Sequence, residues 1–201
     1  MVAGIDISRK NGHIDWTLLY GSDVHFVFIQ ASEAINSVDP NYTENAAGAE
    51  KAGLLYGFYH WLHPRLHVGQ QAELFSSLIC KLKRSLPPVV CLEKHHAPVN
   101  EMEKNVRSFL VLIEKKIGMK PIIYTSEEYW HRFLSESDWG CEYHLWLDKP
   151  GVVLPQQIYP WSGWTFWQQS YQERIPGVQN DCGINWFNGS IKELKELATQ
   201  I

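Results

Sequence analysis

Glu93 closes the segment Leu86–His96, LPPVVCLEKHH, and a carboxylate in that position could serve as a general acid or base. Pro87 and Pro88 lead into the short apolar run Val89–Leu92, after which the chain turns charged. A run of this length bounded by turn signals reads as a buried strand. Alternation along a strand puts Cys91 and Glu93 on one face. Barrel enzymes place their chemistry at the C-terminal ends of such strands. Two other chemistries compete nearby: a thiol–imidazole pair of Cys91 with His60, and a metal site from His60, His63 and His67. Pro64 breaks the helix that would align those histidines, and no acidic ligand completes a set. A cysteine in a buried strand most often acts as a small apolar residue. No metal and no cofactor is therefore expected, and His95 and His96 belong to a loop above the site.

The whole chain bounds these readings. At 201 residues and 45% hydrophobic, it is long enough for one substantial core, so residues 1–201 are expected to form a single domain. The net charge is −4 and no basic run is present, which argues against a nucleic-acid surface. Nine Trp and nine Tyr suggest either a large aromatic core or a cleft whose rings stack on sugars or bases. Cys80, Cys91, Cys141 and Cys182 form no CxxC pair, so free thiols are expected. No basic segment followed by an apolar one opens the chain, so no signal peptide is expected. No apolar stretch is long enough to span a membrane. A cytoplasmically made monomer is the expectation.

Strands are predicted over Val2–Ile7, Val24–Gln30, Leu54–His60, Val89–Glu93, Lys120–Tyr124, Glu142–Leu147, Trp164–Gln168 and Asn180–Phe187. Helical periodicity covers Trp16–Tyr20 behind Asp15, Tyr42–Ala52, Val68–Lys83, Val99–Ile117, Ser126–Leu134 and Ser190–Gln200. Strands alternating with helices imply an α/β fold with a mainly parallel sheet, and about eight strands suggest a closed barrel. The late connections lack full helices, so the barrel should be irregular.

Several segments, in order, resemble glycoside hydrolase family 25, the muramidase-type lysozymes. They are Gly4-Ile5-Asp6-Ile7-Ser8, Phe26–Glu33 with Val38-Asp39-Pro40 and Asn45, Gly57-Phe58-Tyr59-His60-Trp61, Pro121–Thr125, Leu145-Trp146, Trp167-Gln168 and Asn185–Gly189. The resemblance implies a single irregular, flattened (β/α)8-like barrel that hydrolyses the β-1,4 bond between N-acetylmuramic acid and N-acetylglucosamine. It makes bacterial peptidoglycan glycan strands the partner, and the cell wall, after lysis or non-classical export, the site of action. By the same resemblance, Glu93 is the general acid and Asp6 its supporting aspartate. Tyr59, Tyr124, Trp146 and Gln168 would bind substrate.

Two of the family's acidic positions are substituted. Cys91 stands where an Asp-x-Glu pair has its aspartate, the residue that orients the substrate's acetamido group as nucleophile. Gly183 stands where a last-strand aspartate is expected, and Gln30 where a lysine is common. Asp148 and Asp181 are the candidates to compensate. Asp148 follows Trp146 where the family usually has a small residue, and Asp181 shares Gly183's face on a regular strand. A catalytically inactive barrel that binds cell-wall glycan, or serves as a structural module, is the alternative reading. Trp161 and Trp164 flank a Ser-Gly turn and could rim the cleft.

Overall fold

The computed structural model describes residues 1–199, so Gln200, the expected end of the last helix, lies outside the described residues. Nine strands form one sheet: β1 (Val2–Ile7), β2 (Val24–Glu33), β3 (Ser37–Val38), β4 (Leu55–Trp61), β5 (Val89–Leu92), β6 (Ile122–Ser126), β7 (Leu145–Asp148), β8 (Phe166–Glu173) and β9 (Cys182–Phe187). Eight of them close a barrel in the order β1-β9-β8-β7-β6-β5-β4-β2, with β2 returning to β1 and β3 folded back on β2. Neighbours are parallel from β1–β2 round to β7–β8, whereas β9 is antiparallel to both β8 and β1.

Alternation sorts each strand into an inward and an outward set. The lumen is filled by Phe26, Phe28, Val89, Ile122, Trp146, Phe166 and their neighbours. Phe28 stacks on Trp146 with ring centroids 4.5 Å apart, and Phe166 meets Phe26 and Phe28 edge-on at 5.2 and 5.1 Å. Each such pair adds about 0.5–1.5 kcal/mol beyond area burial. Gly4 makes room for this cluster: a Cβ there would lie 2.4 Å from the Phe26 ring.

The outward set (Ile5, Val27, Ile29, Phe58, Val90, Leu92, Ile123, Leu147) carries the helices. These are α1 (Trp16–Tyr20), α2 (Tyr42–Lys51), α3 (Val68–Ile79), α4 (Val99–Ile117) and α5 (Glu127–Leu134). A sixth, α6 (Ile191–Thr199), instead sends Leu194 and Leu197 into the lumen cluster with Val2 and closes the end opposite the strand C-termini. No helix among the described residues is long and apolar enough to cross a membrane.

Local chemistry sets the boundaries. Asp15 Oδ1 accepts from the Thr17 and Leu18 amides and starts α1, and Ser126 Oγ accepts from Tyr129 N to start α5. Gly118 takes the left-handed conformation that ends α4. Helix α3 stops at Ile79, short of the expected Lys83. There Arg84 turns back to donate to the Ile79 carbonyl and to the Ile117 carbonyl that ends α4, tying the two helix ends together. The expected strand over Glu142–Leu147 begins only at Leu145, because Asp138–Glu142 winds into a 3-10 turn. β8 runs on to Glu173, five residues past expectation.

Candidate active site

The C-terminal rim of the barrel gathers Asp6, Glu93, Asp148 and Gln168. Strand pairing sets their heights. Leu92 pairs with Thr125, so Glu93 follows level with Ser126, which pairs with Asp148, which in turn pairs with Gln168. Parallel strands in register thus bring β5, β7 and β8 to one level, and alternation aims these side chains inward.

Glu93 and Asp148 are joined by a side-chain hydrogen bond. Burial first, and then this bond and the negative charge of Asp148, lift the Glu93 carboxyl to about 7, with Lys94 opposing. The neighbouring anion that lifts it is thus Asp148. Asp148 is itself raised by burial, against stabilising hydrogen bonds from Tyr171 and Glu93. The Tyr171 hydroxyl donates to Asp148 Oδ1 over 2.5 Å. In this pair Glu93 holds the proton and Asp148 the charge.

Asp6 is partly buried, and burial raises it to about 6 despite two donors. Gln168 Nε2 and Asn185 Nδ2 both reach its Oδ1, at 2.7 and 2.8 Å. Each donor is itself fixed. Tyr124 donates to Gln168 Oε1 at 2.6 Å, and Trp146 Nε1 donates to Asn185 Oδ1 at 2.9 Å. These contacts also assign the amide orientations of both residues.

The expected substrate-binding rings come together, with Tyr124 4.8 Å from Trp146 and Tyr59 6.5 Å from it. Tyr59, Tyr124 and Trp146 are each at most 6% exposed, so they form the floor under the carboxylates rather than open platforms. The ring at the mouth is Trp61, partly buried, edge-on to Tyr59 and Tyr124, with Lys94 Nζ 3.8 Å above it. Gln30 accepts from the Tyr59 hydroxyl at 3.4 Å.

Cys91 lies in the lumen cluster, 2% exposed, and burial pushes its thiol well above the ordinary range, so it stays neutral. His60 faces the other side of the sheet. It stacks on Phe109 and hydrogen-bonds Ser32 and Gln71, so no Cys91–His60 pair forms. His63 stacks on His95, and His67 accepts from Gln70 N at the start of α3. Asp181 points to the surface, ion-paired to Arg174 at 2.6 Å, and is not brought to the rim. Trp161 and Trp164 also fall away from the cleft. Trp161 packs on Trp130 and donates to the Tyr143 carbonyl, and Trp164 packs on Trp167, all in the outer core.

Gly183 pairs with Asp6 across β9 and β1, and a Cβ there would stand 2.1 Å from Asp6 Oδ1 and 2.4 Å from Gln168 Nε2. The space of a side chain is already taken by the Asp6–Gln168 contact. Gly183→Asp, which restores the family's acidic residue, is expected to break that contact. It should lower activity by at least tenfold and lower the melting temperature; an equally stable, more active variant would overturn this account.

Sequence reasoning passed over Tyr171 and treated Asn185 only as part of a motif. A register shift in the β8–β9 pairing between Gln168 and Ser170, ahead of Tyr171, explains the first. The extra residue reverses the alternation, so the hydroxyl of the half-exposed Tyr171 reaches Asp148.

The model for Glycosyl hydrolases family 25 matches residues 5–178. The uncharacterized protein YegX of Escherichia coli is 31% identical over 200 residues, covering 96% of this chain and 72% of that protein. Lysozyme M1 of Streptomyces globisporus is 30% identical over 211 residues, covering 98% of this chain and 71% of the other. The crystal structure of the bacterial lysozyme from Streptomyces coelicolor superposes with a TM-score of 0.93 at 29% identity, over 99% of this chain and 97% of its own. Its barrel, its sequence and its relatives agree: the chain belongs to glycosyl hydrolases family 25.

Proposed function

We propose that the protein is a muramidase that hydrolyses the β-1,4 bond between N-acetylmuramic acid and N-acetylglucosamine in bacterial peptidoglycan. The observation that carries this reading is Glu93, a partly buried carboxyl beside Asp148 at the C-terminal rim of a family 25 barrel, raised by burial to about 7. Its proton goes to the glycosidic oxygen as the bond to C1 breaks. The acetamido oxygen of the muramic acid residue closes on C1, one of the exceptions to the two-carboxylate scheme. Water then attacks C1 and returns its proton to Glu93. Asp6, ionised and held by Gln168 and Asn185, stabilises positive charge on the sugar. The cell wall is the place of action.

A second reading, a glycan-binding barrel that does not turn over, is favoured by one observation: the neutral thiol of Cys91 cannot balance charge on an assisting acetamido nitrogen. Digestion of purified, defined peptidoglycan, with products identified by mass spectrometry, separates the two. New N-acetylmuramic acid reducing ends support the first; binding without cleavage supports the second.

The two carboxyls also set a pH profile. Glu93 must be protonated, so kcat/KM should fall about tenfold per pH unit above about 7. Asp6 must be ionised, so it should also fall below about 6. A narrow bell between those limbs is expected. A profile flat from pH 5 to 9 would rule out these assignments.

A further inference from the structure

We infer that Asp148 is a second catalytic carboxylate, moved to β7 from the strand that carries Glu93, and that Tyr171 is its positioning residue. This rests on the muramidase reading and specifies which group serves the acetamido nitrogen.

Three observations converge on Asp148. It ends β7 inside the barrel rim, level with Glu93 two strands away. Its carboxylate accepts from Glu93 on one side and from the Tyr171 hydroxyl, 2.5 Å away, on the other. The two positions where the family resemblance places further carboxylates cannot serve. Cys91 is a buried neutral thiol, and the room beside Gly183 is filled by Asp6 and Gln168.

The hydrogen bond between Glu93 and Asp148 makes a resting state that substrate binding can undo. With a sugar in place, the Glu93 proton turns from Asp148 to the glycosidic oxygen. Asp148, still ionised and still held by Tyr171, is left to accept the acetamido N–H. As the acetamido oxygen bonds to C1 and the C1–O4 bond breaks, positive charge grows on that nitrogen, and the Asp148 carboxylate lies against it. The leaving sugar takes the Glu93 proton. Water then adds at C1, the bond to the acetamido oxygen opens, and Glu93 recovers a proton from that water. Asp148 keeps its charge throughout.

The groups around this pair are Lys94 beside Glu93, Tyr124 and Tyr171 beside Asp148, Asp6 across the rim, and Cys91 beneath. Lys94 alone among them is cationic, and it holds Glu93 down. Removing Asp148 therefore lowers the Glu93 carboxyl and moves the alkaline limb of kcat/KM to lower pH.

The test compares wild type, Asp148→Asn, Asp148→Ala, Tyr171→Phe and the double variant Cys91→Asp/Asp148→Ala on defined peptidoglycan fragments. Each is first checked by thermal melting for folding. Asp148→Asn and Asp148→Ala are expected to lower kcat about a hundredfold to a thousandfold with little change in KM, and to move the alkaline limb down. Cys91→Asp in the Asp148→Ala background returns a carboxylate to the strand of Glu93 and should regain at least tenfold. Tyr171→Phe should lower kcat about tenfold with little change in KM, because Asp148 loses the hydroxyl that holds its carboxylate in place, and should leave the acid limb, set by Asp6, where it is.

Cleavage by wild type with Asp148→Asn and Asp148→Ala within twofold of it overturns the inference and leaves the muramidase reading standing. A folded double variant no better than Asp148→Ala overturns the shared role of the two positions. A folded Tyr171→Phe variant with kcat within twofold of wild type removes Tyr171. No cleavage by wild type overturns both the inference and the reading beneath it.

Discussion

Glu93→Gln is expected to lower turnover of purified peptidoglycan by about a thousandfold, within the range a positioned general acid contributes, and at the same time to raise the melting temperature at pH 8. Gln keeps an N–H that can donate to Asp148, so the local hydrogen bond survives while the transferable proton is lost. The stability gain follows from linkage. The Glu93 carboxyl goes from an ordinary 4.5 to about 7 in the folded protein, so folding favours its protonated form. That contribution is fully present below about pH 4.5 and is lost as pH rises through about 7, because the folded state must then carry a partly buried charge beside Asp148. Gln has no such charge to carry. The difference in melting temperature between variant and wild type should therefore be small at pH 4 and open between pH 5 and 8. Thermal melts across that range, run beside the turnover assay, give both quantities. A variant as active as wild type removes Glu93 as the acid. A variant that is inactive but shows no pH-dependent gain would mean the carboxyl is not held up by its surroundings.

The same logic explains why part of the site was readable from residues alone. Glu93 follows from alternation on a short strand that puts it on the face of Cys91, while Asp6 and Trp146 follow from the family resemblance. Asp15 before α1 and Gly118 after α4 are local signals, and both termini fall where the sequence puts them. What could not be read depends on neighbours distant in the chain. The contact of Asp148 with Glu93 needs β6 between them and a register that no local pattern states. Tyr171 reaches Asp148 only because the β8–β9 pairing shifts ahead of it, between Gln168 and Ser170. Gly183 reads as a missing carboxylate until Asp6 and Gln168 are seen in the space a side chain would fill. Trp161 and Trp164 look like cleft rings because a Ser-Gly turn lies between them. Packing against Trp130 and Trp167 decides instead for the outer core.

Trp146→Ala is expected to cost about 3–5 kcal/mol of stability, lowering the melting temperature by on the order of 10 °C, and to abolish activity even where the protein remains folded. Trp146 stacks on Phe28 and receives the edge of Tyr124, so its removal empties the centre of the lumen beneath the rim. Activity goes by a second route. Trp146 Nε1 donates to Asn185 Oδ1, which fixes the amide so that its Nδ2 meets Asp6. That Asn185 bond favours the Asp6 anion, against the burial that raises it to about 6. Without the indole N–H, Asn185 is free to rotate, and Asp6 becomes harder to ionise. Trp146→Phe separates the two effects. It keeps a ring against Phe28 and so should cost only about 1–2 kcal/mol, within the range for a lost buried hydrogen bond plus a modest cavity. It still removes the donor to Asn185, so the acid limb of kcat/KM should move to higher pH while the alkaline limb, set by Glu93 and Asp148, stays in place. Movement of one limb without the other would mean that Trp146 tunes Asp6 through Asn185. If neither limb moves while stability falls, Trp146 serves the core and nothing more.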